Sequence, residues 1–531
     1  MASPSRSLSA HNGHEWIRCL CLVNFDLVEG PRVVETWPEG ALSSEEAPVL
    51  ARISFPDFAP QGWHEEAYML RYCIGGAWTH GAALFRREWD EASARNQGAQ
   101  CVICVLSFLA FFGLLASLAR TAAEAIATGG GLHELLSCIR AWPAPSELQS
   151  RAAWLPLPRY ARLLFWRPPE EENDSPLSPL PPLSPPRPCS VWDEAAVFDS
   201  QPLDHVARGA CAVMPEEEAC CRGHGRYGDW NPFCFGEKLE LLWSCWELLL
   251  AGESLLILGE GPAQASDCAL ALATLLGPLP LLAEERAGDG GLDLQPHFTV
   301  YDAHFQRLRA TLASSDTCQM SGMLLGTANP IFRQKPFDNF PYTLDLSEAA
   351  PTSPLGPVRE LLRGVSGLTS CDGLKRGSLA KYVPGVLRQS PEILGELARI
   401  AASGGDDEEV KRAAAQLLLR GHFSEILRNL LEPLKTLFAA SYELPVVGME
   451  EAWLQEQNLQ PVGRFAEPFC SRSAALALYA ALLRGPFGPW LSQYLWSISQ
   501  HDDVTSTPTS TPSGIFSCVT PNSRRQMGVF L

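Results

Sequence analysis

Nineteen consecutive residues, Cys101 to Ala119 (CVICVLSFLAFFGLLASLA), carry no charge. A run close to the ~20 residues that cross a bilayer leaves two choices. It spans a membrane, or it divides into a buried strand, CVICVL, and an apolar helix, SFLAFFGLLASLARTAAEAIA. The second reading is favoured. The helical pattern continues past Arg120 and stops at Gly129-Gly130-Gly131, a strong C-terminal signal. The flanks also lack the Lys/Arg asymmetry of an anchored helix.

A buried strand feeding a long helix needs a sheet to pack on, and its neighbours supply one. Trp16–Asn24 and Arg32–Trp37 are predicted strands joined through a turn at Gly30-Pro31. A helix is expected over Ser43–Arg52. Tyr68–Ile74 and Ala77–Arg87 form a hairpin across Gly75-Gly76. A second helix follows at Leu132–Ala141. The order β-β-α-β-β-β-α-α predicts an antiparallel sheet with helices on it, an α+β unit.

The proline-rich stretch at 168–190 cannot be a core element, because proline removes donors and fixes φ. It is an extended linker, with a PxxP adaptor ligand as the functional alternative to a plain spacer. Beyond it, Gly236–Ala251 reads as an apolar helix, Ser254–Leu258 as a buried strand and Pro262–Leu276 as a helix. Strands are expected at His297–Tyr301, Met323–Thr327 and Tyr342–Leu346, giving a largely parallel α/β sheet.

From about 355 the pattern becomes helical. Gly404-Gly405 is a break, Asp406 or Asp407 caps the next helix, and Asp407/Lys411 and Glu408/Arg412 are i,i+4 pairs. Phe423, Ile426, Leu427, Leu430, Leu431, Leu434, Leu437 and Phe438 form a helical stripe, with Pro433 expected to kink it. A last helical pair covers Ser473–Arg484 and Pro489–Ile498. The tail 501–531 is rich in Ser, Thr and Pro and is expected to be disordered.

The formal charge of −19 argues against a primary nucleic-acid role, since phosphate backbones reward a basic face. Basic residues are mostly arginine; the lysines are Lys238, Lys335, Lys375, Lys381, Lys411 and Lys435, which reads as compositional bias. Seventeen scattered cysteines suit reduced thiols in a cytosolic setting better than a disulfide framework. The first residues lack an apolar signal segment, and Met1-Ala2 does not fit myristoylation.

Gly259-Glu-Gly261-Pro-Ala-Gln264 follows a strand and opens a helix, as a dinucleotide fingerprint would. Gln264 replaces the third glycine and Pro262 removes an amide, so a plain strand-to-helix turn is favoured. Cys211, Cys220, Cys221, His224 and Cys234 have poor zinc spacing. Cys101-x-x-Cys104 sits in an apolar strand and reads as buried thiols. The acidic pairs Glu45-Glu46, Glu65-Glu66 and Glu217-Glu218 read as solvated surface. No metal, cofactor or covalent catalytic residue is called for.

Other segments carry a resemblance. Leu242-Trp-Ser-Cys-Trp246-Glu247-Leu-Leu-Leu-Ala-Gly252-Glu253-Ser-Leu-Leu-Ile-Leu resembles the central DENN-domain signature. Gln295-Pro-His-Phe-Thr-Val-Tyr301-Asp302 and Leu325-Gly-Thr-Ala-Asn329-Pro330-Ile-Phe332 follow in the order of the DENN-domain-containing protein 6, or FAM116, type. Cys19–Leu27, Ile53–Asp57 and the Phe85-Arg86 strand are similar to its N-terminal module. Gly421-His422-Phe423, Glu432-Pro433-Leu434, Leu478-Tyr479 and Phe487-Gly-Pro-Trp490 are similar to its helical end.

The resemblance implies an α+β longin-like module at 15–160, while composition marks disordered tails at 1–14 and 501–531 and a proline-rich linker at 161–193. The resemblance also implies an α/β central DENN module at 194–348 and an all-α region at 349–500. It further implies a guanine-nucleotide exchange factor for a Rab-family GTPase, cytoplasmic and recruited to endosomes. Peripheral association with the endosomal membrane would accompany that role. Glu253, Asp302, Asn329 and Phe332 are the expected GTPase contacts, each weighed against a purely structural role. A trafficking scaffold, or a GTPase-activating partner with an exposed arginine, are the alternatives.

Overall fold

The computed structural model describes residues 16–57, 63–74, 77–87, 100–108, 112–127, 132–142, 152–156, 162–166, 213–214, 230–277, 279, 292–314, 322–346, 374–403, 408–440, 472–488 and 491. The expected tails, the proline-rich stretch at 168–190 and Cys211, Cys220, Cys221 and His224 lie outside them.

The first sheet comprises β1 (Cys19–Asp26), β2 (Gly30–Trp37), β3 (His64–Ile74), β4 (Ala77–Arg87) and β5 (Gln100–Ser107). Every pairing is antiparallel and the order is β2-β1-β5-β4-β3. Its central strands are apolar on both faces because both faces are covered. Cys21, Val102 and Cys104 face a core closed by α1 (Glu46–Ile53); Leu20, Ile103 and Val105 face one closed by α2 (Phe112–Ala127) and α3 (Leu132–Arg140). The uncharged run therefore divides into β5 and α2, and among the described residues no helix is long and apolar enough to cross a membrane.

Alternation also settles the Cys101-x-x-Cys104 spacing. Residues three apart on a strand point to opposite faces, so the pair cannot close a bridge. Cys104 is buried and its thiol is pushed up to about 12 by desolvation. The nine described cysteines are free thiols.

A small antiparallel sheet follows, of β6 (Ala152–Pro156), β7 (Arg162–Trp166) and β8 (Val213–Met214). Strand β7 falls inside the segment expected to be linker from 161.

The central unit has α4 (Leu242–Leu250), β9 (Leu255–Leu258), α5 (Pro262–Leu275), β10 (Asp293–Gln295), α6 (Phe305–Ser314), β11 (Met323–Thr327), β12 (Tyr342–Asp345) and β13 (Leu374–Arg376). The order is β10-β11-β9-β12-β13, parallel except for β13 at the edge. The helix expected over Gly236–Ala251 begins as a 3-10 segment, Gly236–Leu241. It ends at Gly252, whose φ of +78° and approach to Pro486 exclude a side chain.

The strand expected at His297–Tyr301 is instead a turn. Pro296 ends the ladder, and Asp302 accepts the Thr299 N–H at 3.0 Å. Helix α6, unmarked in the sequence reading, follows. The expected helical onset near 355 is also corrected. Residues 347–373 lie outside the described set, and from 374 the chain is β13 and an irregular stretch, until Ser390 caps α7 (Pro391–Ala402) by accepting the Ile393 N–H.

Helix α8 (Glu408–Ala440) runs through Pro433 and buries Phe423, Ile426, Leu427, Leu430, Leu431 and Leu434. Lys411 pairs with Glu408 at i,i+3, rather than in the expected i,i+4 set; Asp407 is outside the described residues. Helix α9 (Arg472–Arg484) packs near α4. One continuous core joins the first sheet, α4, α5, α8 and α9.

Candidate functional site at the seam between the two sheets

Helix α5 buries residues on nearly every side, among them Ala265, Ser266, Cys268, Ala269, Leu270, Ala271 and Leu272. A helix apolar all round needs cover all round; here the central sheet lies on one side and β3 on the other. The Met69 N–H donates to Ser266 Oγ at 3.0 Å. Small side chains at Ala265 and Ser266 allow this close approach.

Polar bonds then lock the seam. Arg71 is 3% exposed, and its guanidinium donates to Asp293 and to the Leu294 carbonyl, both at 2.8 Å, while resting 3.7 Å above the Trp78 ring. Trp78 stacks on His304, and Tyr68 lies 4.9 Å from the His297 ring. The fingerprint-like turn ends at Ala263, whose N–H donates to the Glu66 carboxylate at 2.7 Å. The helix end that would cradle a phosphate thus holds an acid from the first sheet.

That occupant corrects the reading of the acidic pairs. Glu66 caps α5. Glu46 is buried and ion-paired with Arg18, and it accepts the Tyr72 hydroxyl at 3.0 Å. Glu217-Glu218 lie outside the described residues. Of the cysteine set, Cys234 is buried, and among the described residues no His/Cys/Asp/Glu group could hold a metal.

The rim of the seam is formed by residues 52–57 facing the loops after β10 and β11. Asn329 donates to Asp57 at 2.9 Å and accepts the Ile331 N–H at 2.9 Å. Burial raises the Asp57 carboxyl, and the Asn329 bond opposes that rise. Arg52 sits over the Tyr301 ring, and Phe55 touches Phe25. Tyr301 (49%), Phe25 (42%) and Ile331 (39%) remain exposed. Large apolar side chains from both units thus flank one short segment. These loops lie at the carboxyl ends of parallel strands, where open α/β sheets place their sites.

The four expected contact residues do not converge. Asn329 is on the rim. Asp302 lies behind it, its carboxyl pushed up to about 7 by burial. Phe332 is 1% exposed, inside a cluster with Phe298, Phe305 and Phe337. Glu253 is buried on the opposite side of the central unit, accepting the Lys381 and Tyr382 N–H groups. Sequence reading missed Asp57, Tyr301 and Ile331 as rim residues, and Glu66 and Arg71 as its support. The weak signal for Tyr301 and Ile331 was their place inside the family-like motifs.

With this architecture, the chain is similar to DENN-domain proteins of the DENND6 type. It is 24% identical to human DENND6B over 84% of its own length and 71% of that protein. Mouse DENND6B is 25% identical, over 80% of the chain and 68% of the relative. The DENND6 homolog of Dictyostelium discoideum is 23% identical, over 84% and 64% respectively. No family model matches the chain.

Proposed function

We propose that the chain is a guanine-nucleotide exchange factor for a Rab-family small GTPase, and that the GTPase docks on the rim of the seam. On this reading residues 15–160 are the longin-like module, 194–348 the central DENN module and 349–500 the helical region. The protein works from the cytoplasm, recruited to endosomes, and 168–190 offers an adaptor ligand.

The single supporting observation is the Asp57–Asn329 bridge, set among exposed Phe25, Tyr301 and Ile331. It ties the two units rigidly where apolar surface from both is presented together. Exchange needs no bond chemistry. It needs tighter binding to the nucleotide-free GTPase than to the GDP form, so that the barrier to release falls. Only that differential affinity shifts the equilibrium, and a pre-set surface keeps it from being lost to ordering. Asn329 is then a contact, Asp302 positions the loop behind Tyr301, and Phe332 and Glu253 support the scaffold.

The test is release of a fluorescent GDP analogue from a panel of Rab GTPases. One member should discharge faster with the wild-type chain. Tyr301→Ala and Ile331→Asp should abolish the acceleration while the thermal midpoint stays within a few degrees. Binding without release would make the protein a scaffold, and faster GTP hydrolysis would make it an activating partner.

A further inference from the structure

We infer that the β12–β13 edge of the central unit binds an anionic phospholipid bilayer. The chain carries a charge of −19 and six lysines. Lys375 and Arg376 lie on β13, Lys238 and Arg333 meet β12 at Asp345, and Lys335 and Lys381 follow Arg333 and β13 along the chain. Arg333 reaches the buried Asp345 carboxylate through two bonds of 3.1 Å, and Lys375 approaches the same carboxylate at 3.7 Å. Lys238 donates to the Asp345 carbonyl. One carboxylate thus faces two cations that are themselves 40% and 63% exposed. Lys335, Arg376 and Lys381 add exposed charge, with Glu237 and Asp338 as exposed acids among them.

Basic residues on an edge strand also discourage strand pairing. That role needs cations on β13 alone. It does not explain Arg333, Lys335 and Lys238, which come from other segments. Where Arg333 and Lys375 do converge, the Asp345 carboxylate already fills the place a free phosphate would take, and the other cations are spread along the edge. Lys375 pairs in register with Thr343 and Arg376 with Tyr342, so they emerge on opposite faces of the strand. Lys381 follows on the adjoining loop, beside Val383, which is 59% exposed. Several cations spread along an edge, with an exposed aliphatic beside them, match headgroups distributed over a plane. Attraction to such a surface adds up per cation and orients an otherwise acidic protein, presenting one edge and repelling the rest.

Co-sedimentation of the full chain with vesicles tests this. Vesicles of phosphatidylcholine containing phosphatidylserine should bind it, and pure phosphatidylcholine should not. Binding should fade in high salt, and inorganic phosphate at matched ionic strength should not compete. Lys335→Glu with Arg376→Glu should weaken partition by at least about fivefold per cation. The gentler Lys335→Gln/Arg376→Gln pair should weaken it less. Arg32→Glu, at the far hairpin, should leave it unchanged. No binding to the anionic vesicles, equal binding to neutral ones, full competition by phosphate, or an equal loss with Arg32→Glu would each overturn the inference. None of these readouts depends on a GTPase.

Discussion

The Glu66 carboxylate accepts the Ala263 N–H at 2.7 Å, so a strand of the first sheet caps a helix of the second unit. Capping is normally local, by a residue next to the helix. Gly261 stands at that position without a side chain, and the acid is supplied from 197 residues away. The cap is therefore a tertiary contact, and α5 gains it only when the two units are docked.

Replacing Glu66 by Ala should cost about 1 kcal/mol, the usual worth of a lost cap. Urea unfolding measures it. Hydrogen exchange should localise the loss to the first turn of α5 and the facing part of β3. Exchange that rises only within β3 would show that the bond contributes nothing to the helix.

Arg71→Met should be more damaging, about 1–3 kcal/mol for the Leu294 carbonyl, which loses its donor in a buried setting, with a smaller addition from the partly exposed Asp293. A double-mutant cycle with Asp293→Asn isolates the ion pair. Asp293 is partly exposed, so the coupling should be well below the cost of Arg71→Met alone.

Glu247 accepts the Tyr382 hydroxyl at 2.9 Å and the N–H groups of Gly385, Val386 and Leu387. Glu247→Ala leaves these donors unpaired. At about 1–3 kcal/mol for each of the two buried donors, Val386 and Leu387, it should destabilise by at least about 2 kcal/mol. Limited proteolysis should then cut first at 382–390, and uniform resistance would refute the assignment.

Stability should respond to pH through two opposed groups of one turn. Burial lowers His297 to about 4, so its contribution is complete above pH 6.5 and is lost as pH falls towards 4. Burial raises Asp302 to about 7, so its contribution is complete below pH 4 and is lost as pH rises towards 7. The wild-type profile between pH 4 and 6.5 should be nearly flat from this pair. Asp302→Asn should make stability rise across that window, by up to about 1.4 kcal/mol per pH unit. His297→Phe should make it fall. Parallel profiles for all three proteins would show that neither group titrates there.

Periodicity made most elements legible. The eight elements of the N-terminal unit occur in the expected order, because alternation and glycine turns mark them locally. The turn after Pro296 was misread because HFTVY has strand composition. Only the Asp302–Thr299 bond and the fit of Phe298 among Phe305, Phe332 and Phe337 reveal its true path. Of the candidate site, Asn329 was found by resemblance. Asp57 was legible only as part of a motif, and nothing in the sequence pairs two residues 272 positions apart.

Hydrophobic periodicity, glycine turns and family likeness were thus determined by the chain itself, since each depends on residues within a few positions of one another. Tertiary structure alone decided that Glu66 and Glu46 lie inside, that α5 is shared between two sheets, and that Phe25, Tyr301 and Ile331 flank one segment. The physical reason is desolvation. Whether a carboxylate is solvated surface or a buried partner depends on which distant donor meets it, and that donor is known only once the chain has folded.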